Sequence, residues 1–208
     1  MSSEFGEPTV IVVPTVVTAR LILRCWRPAD IDPYAVMNAD DETMRYLNGT
    51  FDRDGTQRLI THLIGMWALL GHGMWAVEDR VSGEFLGRAG LYYGPGWPGV
   101  EVAVSIRRDR WRQGLGTEAC RAAITWGFTT LSLDEIVTFT NRDNAGMNGI
   151  ARTLGMTFQG EASAIGPWKD NNVYAISRAE WGTVPHAALT APGGGRTTVG
   201  CDGWVEGA

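Results

Sequence analysis

The chain has 208 residues, of which 44% are hydrophobic and 20% are charged, so it is long enough for one domain with a substantial core. Its formal net charge is -5 and its pI is near 5.2, which argues against a nucleic-acid-binding protein, because such proteins normally present a basic face. This acidic balance mildly favours basic or cationic substrates.

The predicted elements alternate between strand-like and helix-like patterns, which indicates a mixed α/β fold with one central sheet. In chain order they are a strand at 20–25, a short helix from Pro28 to about Ala39, a helix over 56–70, a hairpin of strands at 74–79 and 85–93, a strand at 100–106, a helix over 116–131, a strand at 136–140, a helix over about 145–154, and strands near 156–165 and 172–177.

The composition separates a folded body from two ends. We expect an N-terminal extension over 1–17, a domain over 18–181, and a flexible tail over 182–208 that is rich in glycine, alanine and threonine. The extension has an apolar patch but no basic lead, so neither a signal peptide nor a membrane anchor is predicted.

The three cysteines, Cys25, Cys120 and Cys201, are an odd number at no metal-ligand spacing. They predict neither a disulfide framework nor a zinc site, and no bound metal is expected. A reducing cytoplasm fits this cysteine usage best.

A glycine-containing loop stands out at 107–119, RRDRWRQGLGTEA, where clustered arginines lead through Gly114 and Gly116 into a helical pattern. Glycines just before a helix let the backbone approach a ligand closely, and the first unpaired N–H groups of the helix favour an anion. The loop is therefore predicted to bind a phosphate group. It is not a P-loop, because that motif needs a lysine after its last glycine and none follows here.

The residues of this loop match a dinucleotide-binding fingerprint better than they match a P-loop. Gly114, Gly116 and Ala119 match G-x-G-x-x-G/A, and Asp134 lies 20 residues after the first glycine. However, seven residues separate that glycine from the preceding strand, and Asp134 precedes the next strand instead of ending it. We therefore favour a loop whose successive backbone N–H groups wrap a pyrophosphate and continue into the helix.

The longer run EVAVSIRRDRWRQGLGTEA resembles the acyl-CoA-binding segment of the GNAT superfamily of N-acyltransferases, whose loop has the form Q/R-x-x-G-x-G/A. Trp111 occupies the first loop position, as in the branch with the RimJ/RimL-like ribosomal-protein N-terminal acetyltransferases. Three further segments are similar to that branch: an opening strand at 18–24 (TARLILR), the segment 144–156 (NAGMNGIARTLGM) and a closing strand at 174–181 (YAISRAEW). The resemblance covers roughly residues 18 to 181.

This resemblance implies a single α/β (α+β) domain with a central mixed, mostly antiparallel sheet of about seven strands. Strands 100–106 and 136–140 are expected to splay apart, so that the pantetheine of acetyl-CoA adds between them like an extra strand. The N–H groups of 112–117 would bind the pyrophosphate, and the side chain of Arg112 or Arg152 would meet an outer phosphate. The residues expected to contact acetyl-CoA are Val104, Ser105, Ile106, Arg112, Gln113, Gly114, Leu115, Gly116, Thr117, Asn144 and Met147.

Acetyl transfer needs a base for the amine, a donor for the developing oxyanion, and a proton for the leaving thiolate. Glu101 matches a glutamate position of the Rim-like pattern and is the candidate base, acting directly or through a water. A main-chain N–H near Val104 is the candidate oxyanion donor. Asn144 matches the position that binds the cofactor arm, and it is also a candidate N-cap of the following helix.

The family pattern fails at the proton donor. The serine of the N-x-x-S segment is Met147 here, and the alternative tyrosine position is Ala151, so neither side chain can donate a proton. Water, Tyr92, Tyr93 or the substrate would have to supply it. A CoA thiol is acidic enough to leave as thiolate, so losing this acid should slow the reaction without abolishing it.

The acceptor site is expected between the helices of 30–70 and the strand ends near 92–97. This aromatic neighbourhood, with Asp40, Asp41 and Glu42, would suit a cationic amine. A protein N-terminus, a free amino acid, a polyamine and an aminoglycoside all remain open as acceptors.

The overall expectation is a cytoplasmic N-acetyltransferase that uses acetyl-CoA, with no nucleic-acid or membrane partner and with a homodimer as a possible assembly. The alternative is a regulatory protein that binds acyl-CoA without efficient turnover.

Overall fold

The computed structural model describes residues 11–47, 49–165, 168–183 and 199–200. These residues form one large mixed sheet of eight strands with helices on both faces, and a separate two-stranded pairing. The predicted mixed α/β fold is confirmed, with eight strands in the main sheet instead of about seven.

Ten strands are present in the described residues. They are β1 (Val12–Val13), β2 (Val16–Val17), β3 (Leu21–Arg24), β4 (Met74–Asp79), β5 (Phe85–Tyr92), β6 (Glu101–Ile106), β7 (Glu135–Asn141), β8 (Thr157–Ile165), β9 (Trp168–Ser177) and β10 (Val199–Gly200). The main sheet has the order β2-β3-β4-β5-β6-β7-β9-β8, and its neighbours are antiparallel except for β6 and β7.

The helices are α1 (Ile31–Asn38), α2 (Asp41–Met44), α3 (Arg53–Leu70), α4 (Leu115–Thr130), α5 (Ala145–Thr153) and α6 (Arg178–Trp181). Short 3-10 turns occupy Pro28–Asp30 and Arg108–Arg110. Helix α3 begins three residues before its predicted start because the Asp52 side chain accepts a hydrogen bond from the Gly55 N–H at 2.7 Å and caps the helix. It ends at Gly71, whose φ of 70° suits glycine.

Two predictions near the C-terminal end of the sheet need correction. Strand β9 begins at Trp168, four residues before the predicted start, and residues 178–181 form α6 instead of continuing the closing strand. The strand stops because Ser177 and Glu180 form a capping box, in which each side chain accepts a hydrogen bond from the other residue's backbone N–H.

Strands β6 and β7 pair only where they begin. Glu101 lies opposite Val137, and the Val137 N–H donates to the Val100 carbonyl at 3.0 Å. No later residue of β6 has a register partner on β7, although both strands are fully described. The two strands therefore splay apart, as predicted, and leave backbone edges facing the gap.

The sheet buries apolar clusters on both faces, and these clusters fix where its side chains point. The α4 face includes Val102 and Ile106 of β6 and the fully buried Ile124 of α4. The opposite face packs α1 and α3 against the sheet, with Trp26 1% exposed at its centre. Each fully buried large side chain contributes roughly 1.5–3 kcal/mol relative to exposure. Because side chains alternate along a strand, Glu101 points to the α1 and α3 face.

The cysteines depart from the prediction. Cys120 is a free, buried thiol, whereas Cys25 is disulfide-bonded, although the cysteine spacing did not suggest a disulfide. Within the described part of the chain, no helix is both long enough and apolar enough to cross a membrane.

Most of the predicted tail, 184–198 and 201–208, lies outside the described residues, as do residues 1–10. We propose that the folded domain ends near Trp181, as the sequence predicts. The short strand β10 pairs only with β1, Val12 with Gly200 and Val13 with Val199, and neither strand belongs to the main sheet.

Removal of residues 182–208 should lower the thermal midpoint by no more than about 4 °C, because the strand pairing lost among the described residues is that of β10 with β1, and the main sheet stays intact. Calorimetry of both proteins in reductant measures this with the Cys25 disulfide open in each. A fall of more than about 10 °C would show that the boundary is misplaced.

Candidate functional site

Two cavities lie beside the splayed strands. The Glu101 cavity, of about 320 Å³, is bounded by Glu101 of β6, by Phe139 of β7 and by side chains from the α2–α3 region. The loop cavity, of about 570 Å³, lies against the glycine loop before α4. Its lining includes most of the predicted acetyl-CoA contacts: Val104, Ser105, Ile106, Arg112, Gly114, Leu115, Gly116, Thr117, Asn144 and Met147.

The two cavities meet, because some residues line both. The shared residues are Tyr46, Leu47, Val104, Asn144 and Met147. A ligand lying along the glycine loop therefore reaches the same junction as a ligand beside Glu101. Two predicted residues lie apart from the loop cavity: Glu101 is in the other cavity, and the Gln113 side chain donates to the Asp109 carbonyl at 3.5 Å.

The glycine loop has the geometry of an anion site. Gly114 is the N-cap of α4 with a φ of 75°, and Arg112 also has a positive φ of 59°. The Glu118 N–H donates to the Gly114 carbonyl at 3.1 Å, so Leu115, Gly116 and Thr117 precede the first helical bond. Their N–H groups have no acceptor within the helix and are available to an anion.

The space at the loop depends on its glycines. A Cβ at Gly116 would come within 3.1 Å of Ile150 Cδ1, so a side chain there would crowd the cavity wall. Arg20 holds the loop from outside: its Nη1 donates to the Gln113 carbonyl at 2.7 Å, and its Nε pairs with Glu118 at 2.6 Å. The sequence analysis missed this anchor, although an acidic residue in the first turn of a helix is a recognisable signal.

The arginines of the loop divide into two groups. Arg107, Arg108 and Arg110 form ion pairs with carboxylates of Glu84, Asp109, Asp40 and Asp79. Within the described part of the chain, the side chain of Arg112 forms no ion pair, and neither does that of Arg152 on α5. Arg112 lines the loop cavity and is open to a phosphate group, whereas Arg152 lines neither cavity.

Glu101 is a buried carboxyl with an unusual pKa. Its side chain accepts a hydrogen bond from Trp97 Nε1 at 2.9 Å, and the Phe139 backbone N–H also donates to it. Burial raises its pKa to about 8, although these hydrogen bonds and the charge of Arg88 act in the opposite direction. A carboxyl with this pKa exchanges a proton readily near neutral pH.

Other polar groups line the Glu101 cavity. The Tyr92 hydroxyl lies 3.2 Å from His62 Nε2, and burial raises the pKa of Tyr92. Thr138 Oγ1 and Asn171 Nδ2 are buried and have no hydrogen-bond partner among the described residues. Both residues line this cavity, so a ligand there can satisfy them.

A hydrogen-bond network fixes the start of α5. The Asn144 side chain accepts from the Met147 N–H at 3.0 Å, so Asn144 is the N-cap that the sequence suggested. Asn148, which is 3% exposed, donates through Nδ2 to the carbonyls of Asn141, Arg142 and Asn144. Its Oδ1 accepts from the Tyr174 hydroxyl at 2.9 Å. Sequence reasoning missed Asn148, because its role depends on the distant strand β9.

The acidic residues expected at the acceptor site lie elsewhere. Asp40 caps α2 and pairs with Arg108, and Glu42 lines the loop cavity. Neither these two residues nor Asp41 lines the Glu101 cavity, whose lining carboxyl group is that of Glu101 on β6. The aromatic part of the expectation agrees, since Tyr92 and Trp97 do line it.

Asp134, the acid that a dinucleotide site would need, is exposed, pairs with Arg178 at 3.1 Å and lines neither cavity. The dinucleotide interpretation requires this acid beside the glycine loop, so the position of Asp134 disagrees with it.

The alternative proton donors also differ in position. Met147 lines both cavities, whereas Ala151 is buried in the core. Tyr92 lines the Glu101 cavity, but Tyr93 is 46% exposed and lines neither cavity. Tyr46 lines both cavities, and its hydroxyl donates to the Asp143 carbonyl at 2.9 Å. In the described part of the chain, no cluster of three or more His, Cys, Asp or Glu side chains could hold a metal ion.

The sequence over residues 20–157 matches the acetyltransferase (GNAT) domain family. Because the match spans more than half of the chain, the protein belongs to the GNAT acetyltransferase family and is an acyl-CoA-dependent acetyltransferase. This confirms the family predicted from the loop and its flanking segments.

Individual relatives agree with this assignment. An uncharacterized N-acetyltransferase of Bacillus subtilis (strain 168), YoaA, is 26% identical over 171 residues, which are 78% of this chain and 96% of the relative. The crystal structure of an acetyltransferase from Agrobacterium tumefaciens str. C58 matches with a TM-score of 0.71 and 27% identity, covering 83% of this chain and 99% of that one.

The fold is also shared with RimL, described as a ribosomal L7/L12 α-N-protein acetyltransferase in complex with coenzyme A. The TM-score is 0.66 at 16% identity, over 78% of this chain and 97% of that one. This likeness shows a common fold.

Proposed function

We propose that this chain transfers the acetyl group of acetyl-CoA to a primary amine by direct attack, while both substrates are bound. The observation that supports this proposal is the junction of the two cavities at Val104, Asn144 and Met147. One cavity offers backbone N–H groups to an anion, and the other offers a buried carboxyl to an amine.

The donor is held by backbone more than by side chains in this proposal. The N–H groups of 112–117 bind the pyrophosphate, with Arg112 or Arg152 at an outer phosphate. The edge of β6 at Val104, Ser105 and Ile106 accompanies the pantetheine, because this edge has no register partner on β7. The Val104 N–H donates to the oxyanion that develops at the thioester oxygen.

Glu101 takes the proton from the amine. A carboxylate whose pKa is near 8 is a stronger base than an exposed glutamate, and its pKa lies closer to that of an ammonium group. Trp97 and the Phe139 N–H hold the carboxylate in one orientation, so the side chain is positioned before the amine arrives.

The leaving thiolate has no acid at either family position, since Met147 and Ala151 cannot donate a proton. A thiol of this kind ionises near pH 8.5, so it can leave without full protonation and take its proton from Tyr92, water or the acceptor ammonium. The same two residues favour the competing proposal, an acyl-CoA-binding regulatory protein with little turnover.

A thiol-release assay with acetyl-CoA and a broad panel of amines tests the function. We expect at least one amine to accelerate thiol release and to gain one acetyl group by mass spectrometry. Initial rates at varied concentrations of both substrates should give intersecting lines, as a ternary complex requires, rather than the parallel lines of a ping-pong reaction. Tight CoA binding with no amine-dependent release across the panel would instead support the regulatory role.

The acceptor class in this proposal includes protein N-termini and small-molecule amines. We place the reaction in the cytoplasm. A homodimer stays a prediction, which analytical ultracentrifugation would test.

A further inference from the structure

Arg88 lines the Glu101 cavity, and its side chain has no partner among the described residues. It lies on β5 opposite Ser105, is partly buried, and lines the cavity. Its charge lowers the pKa of Glu101 and of Tyr92, which places the guanidinium close to both groups. In the described part of the chain, its side chain forms no hydrogen bond and no ion pair within 4.0 Å.

This isolation is unusual for a partly buried arginine. Arg24, the most buried arginine that forms ion pairs, has carboxylates on two sides, Asp30 at 2.8 Å and Glu78 at 2.6 Å. Removing a cation from water without pairing it costs free energy, so an anion bound beside Arg88 would recover that cost. The arginine fork is also the group best suited to hold a carboxylate through two hydrogen bonds.

A second unused donor lies in the same cavity. Asn171 is 3% exposed, and its Nδ2 has no hydrogen-bond partner among the described residues. It belongs to β9, opposite Asn141, and it lines the same cavity as Arg88 and Glu101. Buried N–H groups are nearly always satisfied, so this amide is available to donate to an oxygen atom of a ligand in the cavity.

The rest of the wall is aromatic and apolar. The aromatic rings that line the cavity are those of Tyr46, Phe51, Tyr92, Trp97 and Phe139. With a volume of about 320 Å³, the cavity is at the lower end of the range for small-molecule sites. Its occupant is therefore small, with an apolar body and a limited number of polar groups.

We propose that the acceptor is a free amino acid with an apolar or aromatic side chain, whose carboxylate is bound by Arg88 and Asn171 while its amine faces Glu101. This inference rests on the proposed function and narrows its substrate class. Polyamines and aminoglycosides carry several positive charges, which Arg88 repels. A protein N-terminus offers an amide carbonyl in place of the carboxylate.

Matched pairs of amines that differ only in the carboxylate test the inference. L-phenylalanine is compared with phenethylamine and with L-phenylalanine amide, and L-methionine with 3-(methylthio)propylamine, by kcat/KM in the thiol-release assay. We expect the carboxylate to raise kcat/KM by at least about tenfold. Faster use of the decarboxylated amine in both pairs would overturn the inference and leave the proposed function intact.

Arg88→Met should remove this preference by raising KM for the amino acid more than for phenethylamine, because only the amino acid has a carboxylate. Loss of the Arg88 charge also raises the pKa of Glu101, so each protein is assayed on the high-pH plateau of its own rate profile. Arg88→Lys should retain part of the preference, and Asn171→Asp should raise KM for the amino acid because it adds a like charge. Arg58→Met is the matched control, since Arg58 is exposed on α3 and lines neither cavity.

An equal loss for both members of a pair in Arg88→Met would overturn the inference, because Arg88 would then act only on the charge of Glu101. If no amine releases thiol, the proposed function fails separately, and calorimetric titration of L-phenylalanine into the CoA-bound protein decides the inference. Binding by wild type that Arg88→Met abolishes would support the carboxylate site. Absence of binding by wild type would overturn the inference. If Arg88→Met does not fold, Arg88→Lys and Asn171→Asp are used in its place.

Discussion

Glu101→Gln should lower turnover by about a hundredfold or more and leave CoA affinity nearly unchanged. The amide keeps the shape of the side chain and can still accept the Trp97 hydrogen bond of 2.9 Å, but it cannot take a proton from an amine. Stopped assays of acetylated product and calorimetric titration of CoA measure the two effects. Glu135→Gln is the matched control, because Glu135 is exposed at the start of β7 and lines neither cavity.

The pH profile of the same variant separates chemistry from structure. The rate of wild type should rise with pH through a group near 8, because Glu101 acts as a base only when it is ionised. The variant should lack this titration and recover part of its rate only at higher pH, where more of the free amine is already neutral. Near-wild-type turnover with an unchanged profile would show that the base is another group.

The pKa of Glu101 also predicts a change in stability. Because burial raises this pKa from 4.5 to about 8, the folded state binds the proton more tightly than the unfolded state. The contribution of Glu101 to the free energy of unfolding is therefore lost as pH rises from 4.5 to about 8. The thermal midpoint of Glu101→Gln minus that of wild type should therefore increase from pH 5 to pH 9. A difference that stays constant over this range would show that Glu101 has an ordinary pKa.

Much of the fold follows from the sequence because periodicity and caps are local signals. The apolar stripe of α4 and the alternation in β6 placed both elements within one or two residues of their observed bounds. The errors occur where a local motif overrides the pattern. The pattern ended the last strand at 177, as observed, but the resemblance extended the closing strand to 181, where the capping box at Ser177 begins a helix.

The candidate site was only partly predictable for a different reason. Gly114 and Gly116 were identified as glycines that precede a helical pattern, and Glu101 was identified from the family resemblance. Arg88 and Asn171 come from β5 and β9, and only the strand order of the sheet brings them to the same cavity as Glu101. The arginine in the otherwise apolar strand FLGRAGLY predicts a partly buried cation. The sequence does not show which residues surround that cation.

Gly116→Asp should weaken CoA binding by about a hundredfold, because the side chain enters the cavity wall and adds a negative charge beside the N–H groups that would meet the pyrophosphate. The crowding is specific: the new Cβ lies 3.1 Å from Ile150 Cδ1. Folding should survive, since position 116 is in the first turn of α4, where an acidic residue is favourable to the helix dipole.

A substitution at Gly114 tests the backbone conformation of the loop without adding a negative charge. The Gly114 φ of 75° costs an L-residue roughly 1–2 kcal/mol, so Gly114→Ala should reduce both the thermal midpoint and CoA affinity without adding any charge. Gly149→Asp is the matched control for Gly116→Asp, because Gly149 is a helical glycine of α5 with nothing within 4 Å of its Cβ position. Calorimetric titration of CoA into the soluble variants measures the affinities. If Gly116→Asp and Gly149→Asp bind CoA with equal affinity, the loop before α4 does not hold the pyrophosphate, and the donor must enter the splayed strands from another side.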